Sequence, residues 1–329
     1  MKSLLVLLFG LIVGMNAFGQ KKIVVAKDVS GDFKYIQDAI DAMRVYPLMP
    51  IVLYIKNGVY NEKINLPETN VDVTFIGEDA DSTIIVFNDY SGRGKLTTFT
   101  SYAAKISGNR FVAENITFRN NAGRVGQAVA LYVEADKAVF RNCKFIGDQD
   151  TIFASGETSR QYFKNCYIEG TTDFIFGPST ALFDDCVIHA KTNSFVTAAN
   201  TPKDKKFGFV FLNCSISVDS SVTELYLGRP WRAYAKTVFL QCTLPKQIIP
   251  SAWSNWDNPE NEKTVFYAEF RNKGEGAQSS GRVGWSRQLT DAEAKEYTMS
   301  NIFSNANTSV PDEAGWYNIA SKTFSWPLN

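Results

Sequence analysis

A single histidine among 329 residues removes much of the usual catalytic repertoire. Zinc centres built on several imidazoles are impossible, and His189 takes the outward parity of its strand, where a surface role is expected. No Gly-x-Ser-x-Gly elbow occurs, so Ser-His-Asp hydrolase chemistry is disfavoured too. Surplus charge is also absent: 34 Lys and Arg balance 34 Asp and Glu, leaving no global field to steer nucleic acid. Cysteines are few and odd in number, five, and each sits at one inward strand position. They read as buried free thiols, because stacked parallel positions set side chains alongside rather than facing. Carboxylates, amides and arginine are left to carry any catalysis.

Long apolar runs are confined to the first residues. Lys2, the run Leu4 to Val13 and the small residues of Ala17-Phe18-Gly19 read as a signal peptide over 1–19, too short for a stable span. No cysteine stands just after that run, so no lipid anchor is indicated, and a mature chain from Gln20, secreted or periplasmic and without a membrane anchor, is expected. No linker, low-complexity tract or charge block divides residues 20–329, which read as one domain.

What is present is a repeat. Asn142-Cys143-Lys144-Phe145 recurs as Asn165-Cys166-Tyr167-Ile168, Asp185-Cys186-Val187-Ile188, Asn213-Cys214-Ser215-Ile216 and Gln241-Cys242-Thr243-Leu244, with Asn115-Ile116-Thr117-Phe118 as an earlier member. The spacing of twenty to twenty-eight residues is solenoidal. Alternation of apolar and polar residues makes each unit a set of short strands, with Asn or Asp at a bend where left-handed angles are cheap. An all-β fold, a right-handed parallel β-helix, fits this pattern; the competing solenoid, the leucine-rich repeat, needs a Leu-rich consensus at a steadier period. A helix opened by Asp32, with Phe33, Ile36, Ile40 and Met43 on one face, is expected to cap its N-terminal end. Strands are expected at Lys22–Ala26, Ile51–Ile55, Val73–Ile76 and Thr83–Val86. From Trp253 to Glu275 the coils are expected to yield to longer excursions, followed by a helix over Asp291–Tyr297. The C-terminal segment with Trp316 and Trp326 is expected to pack along the outside.

Asp150 and Asp173 both fall seven residues after a repeat cysteine, so they occupy equivalent places one coil apart. Stacked strands lie roughly 4.8 Å apart, where two full charges at an effective dielectric near 20 repel by roughly 3.5 kcal/mol. One protonated acid beside one carboxylate suits paired roles as proton donor and nucleophile or base. The plainer alternative makes Asp148 and Asp150 turn residues and Asp173 a strand-end cap; equal register and the flanking Gly147, Gly170 and Gly177 weigh against it.

Five motifs, in order along most of the chain, resemble the pectin methylesterases: Gly58-Val59-Tyr60-Asn61-Glu62, Gln127-Ala128-Val129-Ala130-Leu131, Gly147-Asp148-Gln149-Asp150-Thr151, Asp173-Phe174-Ile175-Phe176-Gly177 and Leu227-Gly228-Arg229-Pro230-Trp231. The resemblance implies that residues 20–329 hydrolyse C6 methyl esters of galacturonate in homogalacturonan, without a cofactor or metal and as a monomer. It implies Asp173 as nucleophile, Asp150 as general acid and then base, Gln127 and Gln149 as oxyanion donors, and Arg229 as the group holding Asp173 ionised. Thr98, Phe176, Trp231 and Trp253 would contact substrate, Trp256 being the second of a tryptophan pair. Where the common plant form has an aromatic residue this chain has Asp148, expected to disfavour an anionic sugar at the adjacent subsite. Two rivals stand beside this reading: a β-helix pectate or pectin lyase, with Asp184-Asp185 as a calcium candidate, and a non-catalytic polysaccharide-binding β-helix.

Overall fold

The computed structural model describes residues 20–304 and 315–318. The strands form three parallel sheets: one of eleven strands from Lys21–Val25 to Arg287–Gln288, and two of seven. Successive strands of each sheet come from successive turns of the chain, as in a solenoid, and strands on neighbouring turns pair in parallel, Phe140 with Phe163 and Phe163 with Phe183, for example. This is the right-handed parallel β-helix, the hand that twisted parallel crossovers impose.

Bends in the repeat bear out the left-handed corner. Asn115, Asn142, Asn165, Asp185, Asn213 and Gln241 all have φ between 50° and 56°. Short polar side chains tolerate that region and bond to one another, the Asn165 amide donating to Asn142 Oδ1 at 2.7 Å. The residue that follows turns inward. Cys143, Cys166, Cys186, Cys214 and Cys242 are buried free thiols, and each donates to a backbone carbonyl of the preceding coil, as Cys186 Sγ does to Phe163 O at 3.4 Å. Beside them runs a column the repeat did not single out. Phe140, Phe163, Phe183, Phe211 and Phe239 stack with centroids 4.9, 4.7, 4.6 and 4.3 Å apart and ring planes within 13° of parallel. Identical residues in register thus fill the interior of every middle coil.

The N-terminal cap differs in detail from expectation. The helix spans Ile36–Asp41, not a segment opened by Asp32. Asp32 instead accepts the Val24 N–H at 2.8 Å and Phe33 bridges to Val25, so this stretch continues the sheet edge. Glu62, from the Gly58–Glu62 motif, accepts the N–H groups of Ile36 and Gln37 at 3.2 and 3.0 Å. It supplies the anionic cap that the helix itself lacks. Ile36, Ala39, Ile40 and Met43 are buried, closing the open end of the core.

Beyond Trp253 the coil does not give way as expected. After a short helix at Pro259–Glu262, strand Phe266–Phe270 pairs in register with Lys236–Leu240 and extends the largest sheet. The later helix is Asp291–Ala294, shorter than the Asp291–Tyr297 expected; its Thr290 and Glu293 form a capping box. Trp316 packs against Phe303 at 4.8 Å and lies 6.0 Å from the Arg160 guanidinium, on the outside of that sheet. The expectations for residues 1–19 and for Trp326 lie outside the described residues.

Replacing Phe183 by Ala should open a cavity in the ring column and cost about 3–5 kcal/mol, while Lys144→Ala on the exposed face should change stability by less than about 1 kcal/mol. Denaturant unfolding of the two variants beside the parent checks this contrast.

Candidate active site

The cleft lies on the outer face of the sheet that runs from Ile64–Leu66 to Leu225–Pro230. Its register builds one outward row, Tyr132, Phe153, Phe176, Ala198 and Arg229, one residue per coil. Asp150 and Asp173 stand two residues before the paired Ile152 and Ile175, at matching corners with φ of 66° and 50°. The ladder holds both corners: Asp150 N–H donates to Thr172 O at 3.1 Å and Asp173 N–H to Phe195 O at 2.8 Å. Two carboxyl groups therefore open into one cleft from adjacent coils.

Their environments differ. Arg229 engages Asp173 bidentately, Nε to Oδ1 at 3.0 Å and Nη2 to Oδ2 at 2.7 Å, while Asp150 has no cationic partner at salt-bridge distance among the described residues. Burial pushes the Asp150 carboxyl well above the usual carboxylate range, and the Asp173 charge adds to that. Burial is thus the first cause, ahead of the like-charge repulsion expected from the spacing. Asp173 is also raised by burial, against the hydrogen bonds and charge of Arg229, which pull it down. Arg229 limits the rise without cancelling it, and the pair comes out polarised, with Asp150 the more readily protonated.

Gln127 and Gln149 sit on adjacent coils joined by a parallel bridge, with Ala128 N–H donating to Gln149 O at 3.0 Å. Both line a cavity of about 190 Å³ shared with the two aspartates and Arg229. Thr98 and Phe99 reach it from a single 3-10 turn, Thr98–Thr100, closed by hydrogen bonds between Thr97 and Thr100, rather than from a strand. Phe176 stacks on Phe153 at 4.6 Å and meets Trp231 edge-on at 5.9 Å; Phe99 faces Trp231 at 6.4 Å. The result is an apolar wall beside a polar floor.

Glycine is required at two points here. Gly177 has φ +129°, and a Cβ there would lie 2.1 Å from Ala154 O. A Cβ on Gly228 would lie 1.9 Å from Thr197 Oγ1, so any side chain would push Arg229 off its strand.

Trp253 is a correction. It is 1% exposed and packs inside the helix between Phe239 and Tyr267, with centroids at 5.9 and 4.7 Å. Ala252, at φ 58°, reverses the local alternation and turns Trp253 inward, and Trp256 lines the cleft instead. Asp148 is likewise not a free cleft charge: Lys191 lies 2.9 Å from it and Arg124 3.8 Å, and it is absent from the cavity wall. Asp184 and Asp185 both hold Lys164, at 2.8 and 2.5 Å, Asp185 serving as a repeat bend. Phe99 and Ala198 line the cleft without having been singled out. For Ala198 the outward parity one rung past Phe176 was the available signal.

The Pectinesterase family model matches residues 22–306. Pectinesterase 31 from Arabidopsis thaliana is 37% identical over 284 residues, covering 83% of this chain and 89% of its own length. Carrot pectin methylesterase superposes with a TM-score of 0.81 at 35% identity, covering 90% of this chain and 95% of that one. A pectin methylesterase solved in complex with a hexasaccharide gives 0.75 at 30% identity, covering 88% and 98%. The chain belongs to the pectinesterase family and is an enzyme of the pectin methylesterase type.

In a carboxyl-labelled NMR titration, Asp150 should take up its proton at higher pH than Asp173. Asp173→Asn should lower the Asp150 midpoint by removing the neighbouring charge while leaving it above an exposed aspartate, because burial persists.

Proposed function

We propose that this member of the pectinesterase family removes the C6 methyl esters of galacturonate residues in homogalacturonan, releasing methanol, through an aspartate nucleophile and an aspartate acid and base. The observation that carries the reading is the polarised pair: Asp173 bound bidentately by Arg229, one coil from a buried Asp150 that has no cationic partner at salt-bridge distance among the described residues. Each Asp173 oxygen keeps a lone pair that the guanidinium does not use. One of them attacks the ester carbonyl carbon. The amide N–H groups of Gln127 and Gln149 donate to the oxyanion without adding charge that would over-stabilise the ground state. As the tetrahedral intermediate collapses, the C–O bond to methoxide breaks and the Asp150 proton passes to the departing oxygen.

An acyl-enzyme anhydride on Asp173 remains. Asp150, now a carboxylate, takes a proton from water as the water oxygen attacks the acyl carbon, and Asp173 leaves as a carboxylate. Both groups return to their starting states. Thr98, Phe99, Phe176, Trp231 and Trp256 supply the walls that hold sugar rings and the ester methyl, since aromatic faces suit carbohydrate C–H surfaces. The hexasaccharide complex of a neighbouring structure supports a polymeric sugar ligand. We further infer that residues 1–19 are removed as a signal peptide and that residues 20–329 act outside the cytoplasm, on a polymer too large to enter it.

Methanol release from highly methylated homogalacturonan should fall at least about a thousandfold in Asp173→Asn, as expected for loss of a covalent nucleophile. The parent should show a bell-shaped pH profile. Its acid limb follows protonation of Asp173, and its alkaline limb follows loss of the proton that burial retains on Asp150. Unsaturated uronide absorbance in place of methanol would return the lyase reading.

A further inference from the structure

Asp173 is not the only group that holds Arg229. The guanidinium carbon lies 4.0 Å from the centre of the Phe195 ring and 3.7 Å from that of Trp256. Two rings cannot share one face at contact distance, so they lie on different sides of the cation. Phe195 is itself seated against Tyr226, its register partner on the next strand, with centroids 4.8 Å apart. Trp256 arrives from the segment after the cleft sheet, at a left-handed corner of φ 62°, its backbone N–H donating to Ser254 Oγ at 3.2 Å.

We propose that Phe195 and Trp256 are positioning residues that clamp the Arg229 guanidinium between their rings and so fix its hydrogen-bonding edge toward Asp173. The proposal rests on the reading of Asp173 as nucleophile. Phe195 acts on both members of the pair at once, because its carbonyl accepts the Asp173 N–H at 2.8 Å while its ring meets Arg229. Rings suit this task better than a second carboxylate. An acid would compete for the same N–H donors, whereas an aromatic face attracts the cation perpendicular to its plane and leaves every in-plane donor free. The rings also exclude water from the two faces of the cation, which strengthens its hydrogen bonds to Asp173.

The two residues separate positioning from substrate contact. Trp256 lines the cleft and Phe195 does not. In Phe195→Leu, kcat should therefore fall about tenfold while KM stays within about twofold, the size of effect expected for losing one desolvated cation–π contact. The acid limb of kcat/KM should also move to higher pH, since a loosened guanidinium no longer holds the Asp173 pKa down. Phe195→Tyr keeps the ring and should restore both. Trp256→Leu should shift the same limb and raise KM as well, and Trp256→Phe should restore the limb.

A role confined to packing would lower the melting temperature and leave the acid limb in place. An unmoved limb with kcat within about twofold in both folded leucine variants would overturn the clamp, given the contact strengths above. Asp173→Asn, assayed alongside, separates the two readings: an inactive Asp173→Asn with unaffected leucine variants removes the clamp alone, and an active one removes the nucleophile and the clamp with it.

Discussion

In-register parallel stacking of coils is the constraint on which everything else in this molecule depends. Once Ile152 pairs with Ile175 and Phe163 with Phe183, equivalent residues of successive turns lie one strand spacing apart. Any residue type that recurs becomes a column. Asn at the bend gives a line of left-handed corners, Cys a line of buried thiols, Phe a stack of rings. Aspartate at one further corner, on only two turns, gives two adjacent carboxyls. The candidate active site is thus the structural repeat with its residue types changed.

Repetition alone would make the two carboxyls alike, and the proposed chemistry needs them different. The difference comes from Arg229, whose strand lies two positions from that of Asp173 and three from that of Asp150 in the sheet order. Ala198 occupies the row position between Phe176 and Arg229, and a small side chain there leaves the space through which the guanidinium reaches Asp173. One long side chain, placed once, breaks the symmetry that the coils impose. Its hydrogen bonds oppose the burial that raises both acids, and they do so on one member only.

Much of this was legible in the sequence because a β-helix writes its register into residue spacing. The Cys positions marked the inward face, the Asn positions the corners, and the count of seven from Cys143 and Cys166 placed Asp150 beside Asp173. What escaped was governed by backbone reversals that alternation does not encode. Trp253 follows Ala252 at φ 58°, and Trp256 and Asp257 are left-handed as well, so parity across that segment cannot be counted. The resemblance to known motifs favoured Trp253 for the cleft; the fold puts Trp256 there. Asp32 departs from the sequence pattern for a related reason. An acid ahead of an apolar pattern is a reasonable helix start, yet its partner is a strand N–H, and the helix cap comes from Glu62 across the coil. The leading part of burial in the Asp150 shift was also hidden, because spacing reports neighbours and not solvent.

Burying two carboxyls has a thermodynamic consequence that runs in the same direction as the proposed chemistry. For Asp150 the folded-state pKa is raised above the unfolded value, so the native state binds more protons between the two. The resulting loss of stability is absent below the unfolded pKa, grows as pH rises through the interval and is complete above the folded pKa. Asp173 follows the same sign, opposed by Arg229. Above the folded pKa of Asp150 the protein would bear the whole penalty and would also have lost the proposed proton donor. Below it, part of the penalty is relieved and the Asp150 proton is in place. The coils on either side, closed by the Phe column and by hydrogen-bonded corners, are where the stabilisation that offsets the remainder resides. A rigid solenoid can therefore hold an acid in an environment that disfavours its charge, and in the proposed mechanism that disfavour keeps a proton available for the leaving group.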